Sequence, residues 1–235
     1  ATGGDANNAP SVVLVTYCAN VIGCSTPYSF VNISGLKIYN NTFNNLTGSG
    51  SYEAVYLNPD VGTGYVNIEN NSFFGNLHRA IANERSNVLI NNNQLGTTLP
   101  GSWQGISIVN WWNQNINNVN ISNNKIDSFS TGVRLAHPAV TGLLSNVALL
   151  NNTIQNSATG IYIYRSANSI LINTSNIYNN VLDINNVDSG NLNAPYNYWG
   201  SVNPNFGSII SGNVLFSPWM NLPFNATPLS AANYN

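Results

Sequence analysis

The side chains that could do acid–base chemistry are few, and one group of them belongs to two adjacent repeats of the chain, near a predicted strand of each. Glu53, His78, Arg79, Glu84 and Arg85 combine two carboxylates with a histidine and two arginines. Glycoside hydrolysis needs two carboxylates that flank one bond, so this group is the candidate for such chemistry. The alternative is a solvated ion-pair cluster, which contributes little to stability, and this is the interpretation we favour.

The remaining ionisable residues form no second catalytic group. The other histidine, His137, lies far along the chain, and two histidines so far apart do not predict a metal site. The sequence holds neither a phosphate-binding glycine loop nor a nucleophile elbow. We therefore expect a protein that is not an enzyme and that carries no cofactor or metal.

A set of aromatic residues suggests ligand recognition instead. Trp103, Trp111 and Trp112 lie on or beside one predicted strand, and Tyr162 and Tyr164 lie on a later one. Trp111 and Trp112 are adjacent and cannot both point into a core. An exposed aromatic row suits sugar stacking or a protein interface. The alternative is that these rings pack under loops.

Two features predict a secreted glycoprotein at a cell surface. Eight Asn-x-Ser/Thr sequons occur, although an Asn-rich chain also creates such triplets by chance. They begin at Asn32, Asn40, Asn45, Asn70, Asn120, Asn151, Asn173 and Asn225. The only cysteines, Cys18 and Cys24, have the spacing of a disulfide-closed loop, which implies an oxidising compartment. Two buried free thiols are the alternative.

The composition argues against several partners. Only 6% of the residues are charged, against about 25% in an average protein, and about one residue in five is asparagine. The six Lys and Arg residues do not cluster, which argues against nucleic acid. No apolar run reaches the roughly 18 residues of a membrane span. The first residues, Ala1 to Gly4, look like the start of a mature chain after removal of a leader.

The elements that position these side chains belong to a repeat: apolar, any, apolar, any, Asn, Asn, any, apolar. Its copies begin at Leu36, Val66, Val88, Val119, Val147 and, in a degenerate form, Ile170, with spacings of 22 to 31 residues. A second short strand follows each copy, and all strands alternate with period two. Short strands that return in the same phase must stack in parallel to bury a shared core. The sequence therefore predicts an all-β fold, a single parallel β-helix of about six to seven coils.

The Asn pairs are predicted to form the turn between two strands of each coil. The second Asn is expected to adopt the left-handed conformation and to bond to its stacked copies in an Asn ladder. The ladder residues are Asn41, Asn71, Asn93, Asn124 and Asn152, and Ser175 continues the column. The first Asn should face solvent, so that glycans on Asn40, Asn70 and Asn151 would line one edge of the rod.

The repeats also divide the chain. Residues 1–28 are predicted to be an N-terminal extension and strand cap with the Cys loop, residues 29–220 the β-helix, and residues 221–235 a C-terminal tail. Trp199 and Trp219 are placed to plug the last coil.

The N-terminal cap contains a candidate assembly strand. Val12, Val13, Leu14 and Val15 are apolar on both strand faces, so both faces need burial. Pairing with another subunit would supply it. The alternative is that loops of the same chain cover the second face.

The repeats, together with the closing segments Tyr196–Ser201 and Gly212–Trp219, resemble the right-handed parallel β-helix repeats of the pectate-lyase-like superfamily. They are most similar to archaeal and bacterial cell-surface β-helix proteins. The resemblance implies a right-handed helix, but this fold carries lyases, hydrolases, adhesins and phage tailspikes, so it fixes no function. The Asp-Asp pair of polygalacturonases and the Asp cluster of calcium-dependent lyases are both missing.

From the sequence we expect a non-catalytic extracellular structural or adhesive glycoprotein. It would assemble with itself as a surface-layer, filament or adhesin subunit, carry N-glycans, and contact surface polysaccharide. The alternatives are a carbohydrate-binding or polysaccharide-degrading β-helix and a viral fibre or receptor-binding protein.

Overall fold

A computed structural model describes residues 13–15, 35–44, 53–57, 64–75, 77–97, 103–109, 115–135, 142–164 and 167–225. Twenty-two short strands, numbered β1 to β22 in chain order, form three sheets whose neighbouring strands are all parallel. The described part of the chain is therefore an all-β parallel solenoid, as the repeats predicted.

The strands of each sheet come from successive coils. Sheet A contains β1 (Val13–Val15), β4 (Glu53–Leu57), β7 (Arg79–Asn83), β10 (Gln104–Ile108), β13 (Thr131–Leu135), β16 (Thr159–Ile163), β19 (Leu182–Asn186) and β21 (Ile210–Ser211). Sheet B contains β2 (Leu36–Tyr39), β5 (Val66–Glu69), β8 (Val88–Asn91), β11 (Ile116–Ser122), β14 (Leu144–Leu150), β17 (Ala167–Asn173), β20 (Leu192–Asn193) and β22 (Val214–Leu215). Sheet C contains β3 (Thr42–Asn44), β6 (Ser72–Phe74), β9 (Gln94–Gly96), β12 (Lys125–Asp127), β15 (Thr153–Gln155) and β18 (Asn176–Tyr178).

The chain passes through sheets B, C and A in turn, and equivalent strands of successive coils pair in register. The six strands of sheet C are related by five steps, so the solenoid makes about five turns. This is slightly fewer than the six to seven coils predicted, because β1 and β20 to β22 add only parts of coils at the ends. Crossovers between parallel strands are almost always right-handed, and the architecture is consistent with that predicted hand.

Columns of aliphatic side chains form one continuous core. The buried column of sheet A consists of Val55, Ile81, Ile106, Val133, Ile161 and Ile184. Phe43 and Phe73 stack across adjacent coils with their ring centroids 4.7 Å apart. Each coil covers its neighbour, so the coils stabilise one another along the rod.

Glycines in sheet A determine which residues reach its outer face. A Cβ at Gly105 or Gly132 would lie 2.7 Å from the carbonyl oxygen of the equivalent residue in the next coil and 2.8 Å from an isoleucine methyl. These glycines therefore face the interior, as the following Ile106 also does, and the usual alternation is interrupted. The flanking residues, Gln104 and Ser107, consequently lie on the outer face.

The N-terminal strand belongs to the chain's own solenoid. β1 pairs with β4 in parallel register, Val13 with Val55, and is the outermost strand of sheet A. Three of the candidate assembly residues, Val13 to Val15, thus lie on an edge strand. Val12, Cys18 and Cys24 lie outside the described residues, and the disulfide stays a prediction.

An aromatic cluster closes the C-terminal end of the solenoid, as predicted for Trp199 and Trp219. A single helical turn, α1 (Phe206–Ile209), places the ring of Phe206 5.9 Å from that of Trp199 and 5.1 Å from that of Trp219. Phe216 stacks on Phe206 at 3.8 Å. Within the described ranges, no helix is long and apolar enough to cross a bilayer.

Candidate functional site

Two polar columns run along the solenoid, and the first is the Asn ladder at the corner between sheets B and C. Asn71 Nδ2 donates to Ile38 O of the preceding coil at 2.8 Å and to Asn93 Oδ1 of the next coil at 3.0 Å. Its Oδ1 accepts from the backbone N–H and from Nδ2 of Asn41, at 2.9 and 3.1 Å. Both protons and both lone pairs of this buried amide are therefore bonded.

The same contacts repeat along the rod and extend the ladder beyond the predicted residues. Its members are Asn41, Asn71, Asn93, Asn124, Asn152, Ser175 and Asn197. Ser175 Oγ accepts from the N–H of Asn152 at 3.1 Å, and the N–H of Ser175 donates to Asn197 Oδ1 at 2.9 Å. Sequence reasoning missed Asn197 because Tyr196 replaces the first Asn of the pair. The available signal was its spacing, 22 residues after Ser175.

The predicted backbone of this turn was wrong in one respect, because the left-handed residue is the first of each pair. Asn40, Asn70, Asn92, Asn123 and Asn151 have φ between 53° and 58°. A left-handed residue turns the chain sharply, so the following Asn can point into the solenoid. Thr174 and Tyr196 take the same place with φ of 49° and 56°. Stacking therefore imposes the conformation even on residues that disfavour it.

The sequons differ in how they present their amides. Asn40, Asn70, Asn120 and Asn225 are exposed, Asn151 and Asn173 are half-buried, and Asn32 and Asn45 lie outside the described residues. Asn151 Oδ1 accepts a hydrogen bond from Thr174 Oγ1 at 2.6 Å, and Asn70 Oδ1 accepts one from Asn92 Nδ2 at 2.6 Å. Both bonds leave the Nδ2 atom, to which a glycan attaches, uninvolved. Glycosylation stays a prediction.

The second polar column lies on the outer side of sheet A and gathers most of the candidate chemistry. We define the sheet-A face by Glu53, Tyr56, His78, Arg79, Glu84, Trp103, Gln104, Ser107, Arg134 and Tyr162. The register places Arg79 between Glu53 and Gln104, and Arg134 between Ser107 and Tyr162. The stacking of the coils thus places residues that are far apart in the sequence next to one another on sheet A.

The favoured interpretation of the cluster as an ion pair is confirmed for Glu53 and Arg79, but the pair is mostly buried and not solvated as predicted. Glu53 and Arg79 form a salt bridge between adjacent coils, with side chains only 10% and 17% exposed. Charges at this depth need partners, because desolvation is costly. Arg85, of the same predicted group, is buried but bonds instead to backbone carbonyls. Its Nε donates to Ser86 O at 3.4 Å in the corner after β7, and its Nη2 donates to Gly64 O in the corner before β5.

Tyr56 connects the two carboxylates of the face. Burial is the main cause that raises the pKa of Tyr56 above its ordinary value, followed by Glu84, which accepts its hydrogen bond, and then by Glu53. Glu84 is itself only 4% exposed. The two carboxylates therefore share a neutral phenol and are turned away from solvent.

A neutral ring pair borders the charged group. Burial, and then the nearby Arg79, lower the pKa of His78 to about 4, so the imidazole is neutral at physiological pH. Its ring lies 4.2 Å from that of Trp103, tilted by 45°. Trp103 is 55% exposed, which leaves an aromatic surface open to a ligand. Trp111 and Trp112, the other predicted contact residues, lie outside the described residues.

Arg134 and Tyr162 form the far end of the sheet-A face. The Cζ atom of Arg134 lies 5.8 Å from the centroid of the Tyr162 ring, a cation–π distance. Burial lowers the pKa of Arg134 from its ordinary value, opposed in part by Tyr162 and reinforced by Arg79. Tyr162 and Tyr164 are both half-buried, so Trp103 is the most exposed of the described members of the predicted aromatic row.

Unbonded polar atoms distinguish the sheet-A face from the ladder. His78 Nδ1, Arg79 Nε, Gln104 Oε1, Ser107 Oγ and Arg134 Nε are buried and have no hydrogen-bond partner among the described residues. Nearly all buried polar atoms in folded proteins are bonded, and each exception calls for a reason. Five such atoms, two N–H donors among them, lie on one face, which makes the sheet-A face the candidate binding surface.

No group of three or more His, Cys, Asp or Glu side chains that could hold a metal ion occurs within the described part of the chain. Comparison with protein-family models, with curated proteins and with solved structures finds no match to this chain.

Proposed function

We propose that this protein is a non-catalytic, extracellular adhesive glycoprotein that binds a saccharide chain on its sheet-A face. The observation that carries the proposal is a set of five buried polar atoms near the exposed ring of Trp103 that have no hydrogen-bond partner among the described residues. Leaving such atoms unbonded costs roughly 1–3 kcal/mol each, and a bound ligand would recover part of that cost.

The chemistry of these atoms suits sugar hydroxyls. Arg79 Nε and Arg134 Nε can only donate, Gln104 Oε1 can only accept, and Ser107 Oγ can do both. A sugar hydroxyl both donates and accepts, so one saccharide chain can satisfy this mixture. The apolar face of a pyranose ring can stack on Trp103, as aromatic side chains favour. A peptide backbone would offer fewer groups to a face of this kind.

The arrangement of the carboxylates supports binding without cleavage. Glycoside hydrolases need one carboxyl group to protonate the leaving group and a second to act as base or nucleophile, both reaching the substrate. Here Glu53 is held by Arg79, and Glu84 is buried against Tyr56. Both carboxylates thus already have a protein partner, whereas the five unbonded atoms of the face have none among the described residues.

The positions of the sequons support the glycoprotein part of the proposal. Asn40 and Asn70 are exposed at the corner between sheets B and C. Glycans there would project away from sheet A and leave the proposed binding face open. The resemblance to cell-surface β-helix proteins, and the extracellular location, belong to the same proposal.

The test is a titration of soluble polysaccharides of varied composition into the purified protein, followed by calorimetry, with the wild-type chain compared to Trp103→Ala. Tyr39→Ala is the matched control, because Tyr39 is 52% exposed and lies on sheet B. We expect at least one polysaccharide to bind, a tenfold or greater loss with Trp103→Ala, and no change with Tyr39→Ala.

The same titrations separate binding from cleavage. We expect no new reducing ends after prolonged incubation with the bound polysaccharide. Release of reducing ends that disappears in Glu84→Gln would instead make the protein a polysaccharide-degrading enzyme. Equal affinities of the two aromatic variants would contradict the proposed binding face.

A further inference from the structure

Sheets A and B begin and end at different points along the solenoid, so the strand edges at its two ends have complementary shapes. Sheets A and B each contain eight strands, but sheet A begins with β1, one coil before β2 begins sheet B. At the other end, sheet A stops at β21, and sheet B continues for one more strand, β22. Among the described residues, one end thus has an extra sheet-A strand, and at the other end no strand occupies the sheet-A position beside β22, which we call the open sheet-A position.

The open position presents an exposed strand edge. Ser211 of β21 and the following Gly212 and Asn213 are all exposed, and Leu215 of β22 is 54% exposed. Ile210 pairs with Ile184 of β19 on its inner side, so the outer side of β21 faces away from the solenoid. An unpaired parallel edge of this kind accepts a strand that runs in the same direction.

The C-terminal end of the solenoid also carries an unusual share of exposed apolar side chains. Of the ten large hydrophobic residues that are exposed within the described ranges, six lie between residues 181 and 222. They are Val181, Val187, Tyr196, Val202, Leu215 and Leu222. Apolar side chains concentrated at one end of a soluble protein mark an interaction surface.

The segments of the chain at the two ends of the solenoid contain almost no charged residues. No charged side chain follows Asp188, and Asp5 is the only one before Lys37. Two such ends can approach each other without desolvating unpaired charges. Of the other charged residues, Glu53, Arg79, Glu84 and Arg134 lie on the sheet-A face.

We infer that the protein associates head to tail with a second copy of itself, β1 of one copy filling the open sheet-A position beside β21 and β22 of the next. The second copy is the occupant that these observations favour, because β1 has the strand direction that the edge requires. In the joined pair, sheet A continues from β21 to the incoming β1, and sheet B continues from β22 to the incoming β2. Val13 to Val15, which the sequence analysis predicted as an assembly strand, form β1, and in this assembly β1 makes the contact through its outer edge.

The symmetry of this contact predicts a filament. The two surfaces are different, so the interface is heterologous, and a rod that continues its own axis does not close into a ring. β21 and β22 contain only two residues each, so side chains such as Leu215 must supply much of the affinity. Assembly is therefore expected to depend on concentration and to be reversible.

The experiment compares sedimentation and negative-stain images of the wild-type chain, of Ser211→Lys combined with Leu215→Lys, and of the control Leu143→Lys. Leu143 is 40% exposed and lies in the middle of the rod, between β13 and β14. We expect concentration-dependent filaments for the wild type and the control, and monomers with an unchanged melting temperature for the double variant. Equal assembly of all three proteins, or a wild-type monomer at every concentration, would overturn the inference.

A mixing experiment tests the direction of the contact. The double variant keeps its N-terminal end, so it can add to the C-terminal end of a wild-type filament and stop growth there. We expect a small fraction of it to shorten wild-type filaments. Filaments of unchanged length would contradict the head-to-tail arrangement and point to a contact between like ends. Polysaccharide titration of the double variant reports on the sheet-A face independently of assembly.

Discussion

The ladder and the sheet-A face are two polar columns on one repeated scaffold, and they differ in whether their buried polar atoms are hydrogen-bonded. In the ladder, a buried amide such as Asn71 has both protons and both lone pairs bonded to neighbouring coils. On the sheet-A face, five atoms of comparable burial have no partner among the described residues. The first pattern is expected of a structural column and the second of a binding surface. Changes to the ladder should therefore cost stability, whereas changes to the sheet-A face should cost binding.

The largest expected effect is on the ladder. Asn124→Leu removes the partner of Asn93 N–H and Nδ2 and of Ile90 O, and it deprives Asn152 Oδ1 of one donor. Each buried group left unbonded costs roughly 1–3 kcal/mol, so we expect a loss of about 3–5 kcal/mol, measured by denaturant unfolding. Asn117→Leu is the control, because Asn117 is exposed on β11. A loss under about 1 kcal/mol would mean that the ladder contributes little to stability.

A smaller effect concerns a buried carboxyl that belongs to neither column. Asp183, on β19, is only 1% exposed, and its Oδ1 accepts from Asn180 Nδ2 at 2.9 Å. Burial raises its pKa to about 7. The unfolded chain ionises this group near pH 4, whereas the folded chain keeps it protonated to about pH 7, so stability should fall as pH rises between those values.

Asp183→Asn keeps an acceptor for Asn180 and removes this titration. We expect the variant to gain about 2 kcal/mol relative to the wild type at pH 8 and little at pH 4, measured by thermal unfolding. Asp188→Asn, in the corner after β19, controls for a general charge effect. A gain that is the same at both pH values would show that ionisation of Asp183 is not its source.

A still smaller effect on stability is expected on the sheet-A face. Ser107→Ala deletes a buried hydroxyl that has no partner among the described residues, so its loss should change the free energy of unfolding by less than about 0.5 kcal/mol or raise it slightly. The same variant should weaken polysaccharide binding. A destabilisation as large as that of Asn124→Leu would show that Ser107 has a structural role, and it would contradict the proposed difference between the ladder and the sheet-A face.

The smallest effect on folding is expected from glycans. We predict that Asn40, Asn70 and Asn151 of protein purified from its natural source carry them, because all three occupy the left-handed corner position. Intact mass before and after deglycosylation measures their occupancy. Removal should leave the melting temperature and polysaccharide binding nearly unchanged, since this corner is remote from sheet A. An unmodified native mass would remove the glycoprotein part of the proposal.

The sequence predicted the ladder because each copy of the repeat contains its own ladder residue. Asn71, Asn93 and Asn124 occupy one position in an eight-residue pattern, so stacking could be inferred without coordinates. The left-handed residue could not be assigned as readily, because both members of the pair are Asn and both tolerate that conformation. Asn197 escaped detection because Tyr196 breaks the pair.

The sheet-A face could be predicted only in part, because its residues do not repeat. Glu53, His78, Arg79 and Glu84 were grouped because they belong to adjacent coils near the second strand, but Gln104, Ser107 and Arg134 join them only through the register of the stacked coils. The depth of the salt bridge was also beyond the sequence. It depends on the pairing of β4 with β7, which places Glu53 opposite Arg79.

The most direct test of the account is a high-resolution structure of the protein with the polysaccharide fragment that binds most tightly in the titrations. We predict that the sugar lies across the sheet-A face, stacked on Trp103, with its hydroxyls within hydrogen-bond distance of Gln104 Oε1, Ser107 Oγ and Arg134 Nε. The Asn ladder should be unchanged. A sugar bound elsewhere, with these three atoms still unbonded or bonded only to ordered water, would contradict the claim that the sheet-A face is the binding surface.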